Sequence, residues 1–322
     1  MVTTTGDGFP LPISIENTDV AQLEAAVGVL RALDYRQGGG FCRDAVQVVK
    51  TASLLLHWGT VPDPLRARLS TVLADVHNLL GWTEFDIGHG EPARRRFGRA
   101  LEIAAEAGND SLVANIRYRL GRVHLHRHDV AGALAEFARG RTAARRSDSG
   151  RALAILAANE AWAFAMDGDE HAALTRLAEA EAAFAEAGSW AEPRPWEAFF
   201  READMAAMRG TVLTELAIAV AARHSGEAIT QLTGAADRYG ADMARSRSLT
   251  LVMLAQNHAL SGDFAEATRI GEEAVALAGQ VGSVRPKDRL APLERLLRAH
   301  RGDAAVSALA DRIGRYRAEP LS

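Results

Sequence analysis

The chain has 322 residues, 48% of them hydrophobic and 24% charged, with 10 prolines and a formal net charge of −4. That balance suits a folded chain and excludes the general basic field on which non-specific nucleic-acid binding depends. A single cysteine, Cys42, excludes an internal disulfide framework and any multi-cysteine zinc site, and fits a reducing cytoplasm.

Taken in chain order, residues 1–16 read as a disordered tail, and the opening MVTTTGDGFPLPIS lacks the basic and apolar regions of a secretory signal. No stretch of about 18 uncharged apolar residues follows that could span a bilayer. A cytoplasmic location without membrane contact is the expectation. Residues 17–322 read as one helical body. Gly40, Ala45, Val49 and Ala52 suggest a first helical hairpin, and regular repeats then occupy residues 64–187.

Within them three segments align without gaps, LGWTEFDIGHGEPARRRFGRAL from Leu80, LGRVHLHRHDVAGALAEFARGR from Leu120 and EAWAFAMDGDEHAALTRLAEAE from Glu160, a period of 40. A small residue stands where two helices must cross closely: Gly81, Gly121 and Ala161. A second helix carries Ala93, Ala133 and Ala173, then Phe97, Phe137 and Leu177, then Ala100, Gly140 and Ala180. Steps of four and three keep these on one helical face. Gly88 and Gly168 fall in the turns between helices.

An irregular loop is expected over residues 188–195, in SWAEPRPWEAFF, whose Trp190 and Trp196 would serve as a lid, a dimer contact or an anchor on the stack. Repeats resume over residues 196–283 with Ala228, Leu232 and Ala235, then Ala255, Gly262, Ala267 and Ala274. Arginine-rich helices over residues 284–318 would cap the array. These columns resemble tetratricopeptide repeats, although that unit is about 34 residues long. HEAT-like units match the length better and lack the columns. The expected fold is all-α, a tetratricopeptide-like right-handed superhelical stack of about six helical hairpins with C-terminal capping helices.

Four stretches extend the resemblance: RALDYRQGGGFCRDAV, LLGWTEFDIGHGEPARRRFGRALEIAAEAGND, EADMAAMRG, and ARSRSLTLVMLAQNHALSGDFAEATRIGEEAVALAGQVGS. Together they resemble the C-terminal region of actinobacterial Xre-type helix-turn-helix transcriptional regulators, from about Leu23 to Ile313. The resemblance implies a helical sensor and dimerisation body receptive to a small molecule or peptide. Such regulators place a DNA-reading module of about 60 residues ahead of the sensor. Here about 16 residues precede the first helix, too few to set a recognition helix in a groove.

In tetratricopeptide stacks the first helix of each hairpin faces the concave groove. The stripe built by steps of four reads Asn78, Trp82 and Asp86, then Tyr118, Arg122 and His126, then Ala158, Trp162 and Met166, with Asn159 beside it. Two indoles flanking a guanidinium form a recognition surface for a peptide or a carboxylate-bearing ligand. The competing reading has Trp82 and Trp162 filling space between helices. An arginine on that stripe has no packing reason to be there.

His124 and His128 lie four apart and would need a third ligand from another hairpin to hold a metal. His124 falls in a packed column and His128 replaces a turn glycine, so no metal or cofactor is expected. His89-Gly90-Glu91 is a turn, since no C-x-x-C follows to complete a deaminase zinc site. Arg94, Arg95 and Arg96 read as a solvated face. Three functions remain: a regulatory or adaptor module binding a peptide, protein or small molecule through Asn78, Trp82, Asp86, Tyr118, Arg122, His126, Asn159 and Trp162; an enzyme or essential component of a peptide natural-product modifying complex, with Asp86 and His126 as acid and base; and a headless regulator acting by heterodimerisation. The first leads, with a homodimer as an option, because no catalytic motif occurs.

Overall fold

The computed structural model describes residues 3–4, 10–11, 14–38, 45–58, 61–188, 192–300 and 302–319. Among these the chain is all-helical apart from a two-residue antiparallel pairing of β1 (Thr3–Thr4) with β2 (Pro10–Leu11). The helices are α1 (Asn17–Gln37), α2 (Ala45–Trp58), α3 (Asp63–Asp86), α4 (Gly90–Glu106), α5 (Asp110–His126), α6 (Val130–Arg146), α7 (Gly150–Met166), α8 (Glu170–Ala187), α9 (Glu202–Ala219), α10 (Ser225–Arg238), α11 (Ala244–Leu260), α12 (Phe264–Ala278), α13 (Arg285–Ala299) and α14 (Ala304–Ala318). They pack as seven successive pairs, and the first helix of each pair also packs on the first helix of the next. Ile15, ahead of α1, is buried. Of the residues read as the first hairpin's columns, Ala52 is buried and Val49 half-buried, whereas Gly40 lies outside the described residues, as does Cys42.

Turn chemistry explains the period. Gly88, Gly108, His128, Asp148 and Gly168 all adopt positive φ, and they stand 20 residues apart. The next residue in four of these turns, Asn109, Asp129, Ser149 and Asp169, caps the following helix by accepting from the backbone N–H three positions on. Turns within pairs and between pairs therefore share one geometry, and 40 residues is twice one helix-turn unit. His128 and Asp148 hold the left-handed conformation without being glycine, with φ of 57° and 50°.

The small and large columns meet each other. A Cβ placed on Gly81 would stand 2.8 Å from the Phe97 ring, and one on Gly121 would overlap the Phe137 ring. Both phenylalanines are fully buried. Gly210 makes the same close approach to Leu232 in the fifth pair. Gly121→Leu is expected to destabilise the chain by about 1–3 kcal/mol through overpacking, because Phe137 has no room to retreat. Urea denaturation would register a lower midpoint at unchanged slope.

The array bends back until its two ends touch. Helix α1 packs on α11, and the segment between α12 and α13 donates from Gly282 N to the Gln37 carbonyl (2.9 Å) and from Val284 N to the Asp86 carbonyl (2.7 Å). Four buried charges lock this seam. Arg245 reaches both oxygens of Asp34 (2.9 and 3.0 Å) and one of Asp86 (2.8 Å), while Arg285 Nε donates to the other Asp86 oxygen at 2.5 Å. Burial opposes a charged Arg245, yet Asp34 and Asp86 together raise its pKa further. No described helix is long and apolar enough to cross a membrane.

Candidate ligand-binding cavity

Closing the array leaves a partly open pocket of about 480 Å³ in which every odd-numbered helix takes part. Tyr35 of α1, Trp82 of α3, Arg122 of α5, Trp162 of α7, Met208 of α9, Leu249 of α11 and Arg289 of α13 all line it. The wall is built this way because the first helices of successive pairs stand side by side on the inner face, while Phe97, Phe137 and Leu177 on the second helices point into the packed layer behind.

The connection from α8 to α9 forms the floor. A helix was expected to start at residue 196; the irregular backbone instead runs on to Arg201, because Trp196 and Glu197 are tied to the stack. Trp196 Nε1 donates to Ser111 Oγ (3.0 Å), and Asn115 Nδ2 donates to the Trp196 carbonyl (3.0 Å). Glu197 accepts from Ser111 Oγ (2.7 Å) and Ser149 Oγ (3.0 Å). Of the roles open to Trp196, anchoring on its own stack is the one observed; Trp190 lies outside the described residues. Pinned so, the segment pushes Phe199 against Tyr118 (ring centroids 6.1 Å, stacked) and Tyr35 (6.0 Å).

The opposite end is the mouth. His126, His128 and Asp288 are exposed there, and His126 Nε2 lies 3.0 Å from Asp288 Oδ2, joining α5 to α13. Between floor and mouth sits a layer of cations and indoles. Arg122 and Arg289 both lie over the Trp162 ring, at 4.5 and 4.3 Å from its centroid. Trp162 Nε1 and Arg289 share Glu215 Oε1, at 3.1 and 3.0 Å. Burial, with Arg285 and Arg289 adding repulsion, pushes the Arg122 pKa down to about 10 against the pull of Tyr118.

Six of the eight residues expected to form the binding surface line this cavity: Trp82, Tyr118, Arg122, His126, Asn159 and Trp162. Asn78 and Asp86 do not. Asn78 is buried between α3 and α5, where its Nδ2 donates to Asn115 (3.0 Å). Asp86 is taken up by Arg245 and Arg285 in the seam, so no acid–base pair with His126 assembles on the wall. Nor do two indoles flank Arg122, since Trp82 lies instead beneath Arg119 (5.2 Å) and Arg285 (4.7 Å). His124 is bonded to Asp129 across its turn (2.7 Å), and among the described residues no group of three or more His, Cys, Asp or Glu could hold a metal.

The stripe that marked α5 and α7 also runs through α9 as Ala207, Thr211 and Glu215, through α11 as Arg245, Leu249 and Met253, and through α13 as Arg285 and Arg289. Carrying steps of four into those helices would have found them. Nothing in the spacing marks Phe199, whose place depends on the pinned loop.

Asp204, at the floor, accepts from Tyr239 OH (3.0 Å) and from Arg201 N (3.2 Å). Burial outweighs these bonds and lifts its pKa to about 6. The folded state thus holds this proton more tightly than the unfolded chain, so the contribution to stability present near pH 4 is lost as pH rises through about 6. His77, on α3, works in the opposite sense: burial pushes its pKa down to about 4, and its contribution is lost as pH falls from about 6.5. Asp204→Asn should therefore gain stability relative to the parent as pH rises from about 4 to about 6, read as a difference in melting temperature that widens over that range and levels off above it.

No protein-family model matches the sequence, and no curated protein matches it either.

Proposed function

We propose that this chain is a ligand-binding module, a tetratricopeptide-like stack related in plan to the sensor bodies of Xre-type regulators, which takes a small molecule into its central pocket and acts in a regulatory or adaptor role in the cytoplasm. The observation that supports this reading is the partly open pocket of about 480 Å³, walled by tyrosine, tryptophan, phenylalanine and methionine with a few convergent arginines. Cavities of this size and character hold compact organic ligands. A folded partner or a long extended peptide needs a wide groove, and the seam and Phe199 narrow this one, which favours a compact ligand. Catalysis has less support, since Asp86 is sequestered from His126.

Native mass spectrometry of the purified chain, followed by thermal-shift screening of small organic molecules, tests the proposal. A compound retained one-to-one, or one that raises the melting temperature of the parent and not of the cavity-filling variant Met208→Trp, is the expected result. The reading fails if stabilising compounds act equally on both proteins.

A further inference from the structure

Resting on that reading of the cavity, we propose that its ligand is an organic anion, a carboxylate, sulfonate or phosphate on an aromatic or aliphatic body, and that Arg122 reads the anionic group. The cations along the wall are not equivalent. Arg245 and Arg285 are neutralised by Asp34 and Asp86 in the seam, and Arg289 is paired with Glu215. Arg119 and Arg122 have no carboxylate within ion-pair distance among the described residues. Arg119 is spoken for by the Asn78 carbonyl at 2.9 Å, with Trp82 against its guanidinium.

Arg122 has only a long contact to Asn159 Oδ1 (3.4 Å), the Tyr118 hydroxyl and the face of Trp162. A half-buried guanidinium without an anion is costly, and a fold that only needed to fill this space would use an apolar side chain. The lowered pKa of Arg122 expresses the same deficit. An arriving anion would complete a charge-assisted, two-pronged contact of the kind a guanidinium favours.

Position along the helices gives the rest of the ligand. Tyr118 precedes Arg122 by about 6 Å on α5 and touches Phe199, so the apolar floor begins one turn below the charge. Asp204, another carboxylate on the wall, stands about 16 Å along α9 from Glu215, at the floor and away from Arg122. An anion bound at Arg122 would thus point its body toward Phe199, Tyr35 and Met208, on the side away from Glu215, whose charge is already met by Arg289.

The probe pair 8-anilinonaphthalene-1-sulfonate and N-phenyl-1-naphthylamine, alike in rings and different in the sulfonate, separates the possibilities by fluorescence titration. The parent should bind the sulfonate one-to-one, about tenfold tighter than the neutral dye or more, and Arg122→Met should erase that advantage while leaving the neutral dye within about twofold. The same variant, without dye, should melt no lower than the parent and roughly 2 °C higher, because an unpaired, half-buried cation has been removed. A structural arginine would show the reverse.

Met208→Trp should exclude both dyes. If the parent binds the two dyes equally, or Arg122→Met weakens both alike while Met208→Trp still blocks them, the anion assignment is overturned and the cavity reading stands. If neither dye binds, or Met208→Trp changes nothing, the cavity reading falls and takes the assignment with it.

Discussion

Asp86→Ala is expected to cost about 3–5 kcal/mol, because it strands two arginines inside the protein. Asp86 has no solvent exposure and serves Arg245 and Arg285 at once. Arg245 would retain Asp34, with its two bonds at 2.9 and 3.0 Å. Arg285 would retain no carboxylate, and its Nη2 already lacks a partner in the intact seam. The lesion should also be visible locally. Val284 N donates to the Asp86 carbonyl and Gly282 N to the Gln37 carbonyl, so these two amides should lose hydrogen-exchange protection ahead of α5 and α7. Denaturation midpoint and amide exchange together check the result. Unchanged exchange at Val284 and Gly282 beside a lowered midpoint would show that the seam is held by apolar packing of α1 on α11 and not by its charges.

The seam also marks where sequence reasoning ran out. Gly81, Phe97, Gly121 and Phe137 announce their partners because both members of each pair lie within one 40-residue unit, and hairpin packing repeats locally. Trp82, Tyr118, Arg122 and Trp162 were legible for the same reason: neighbouring first helices present the same stripe to the same side. Contacts from Arg245 to Asp34 and from Arg285 to Asp86 join positions 211 and 199 residues apart. Local periodicity carries no record of them, since they depend on how slight rotations between pairs accumulate around the array. Asp86 was therefore assigned to an open groove that the far end of the chain in fact covers. The expected six hairpins became seven pairs because α13 and α14 continue the pairing and contribute Arg285 and Arg289 to the cavity wall. The late start of α9 has a different origin. Helix propensity over residues 196–201 is overridden by tertiary bonds to Ser111, Asn115 and Ser149, which hold Trp196 and Glu197 out of helical register.

Glu197→Ala is the second change with a large expected effect, about 3 kcal/mol, and it should strike the floor rather than the seam. Glu197 is buried, with one oxygen accepting from Ser111 near the start of α5 and the other from Ser149, the capping residue of α7. A carboxylate shared by two helix N-termini is favoured by both dipoles as well as by its hydrogen bonds. Its loss leaves two buried hydroxyls short of an acceptor and loosens the segment that carries Phe199 and Phe200, which then rests on the Trp196 bonds and on Arg151. Phe199 is then held less firmly on Tyr118 and Tyr35, and Phe200 less firmly on Phe184, 5.6 Å away. Limited proteolysis should cut near residues 192–201 in the variant and spare the parent. Dye affinity should fall even where Arg122 is intact, because the apolar half of the cavity has opened. Seam and floor share no residue, so the stability losses of Asp86→Ala and Glu197→Ala should add in the double variant to within about 0.5 kcal/mol. A larger departure would mean that closure of the ring and seating of the loop are one cooperative event, and that the cavity forms only when both ends of the chain are in place.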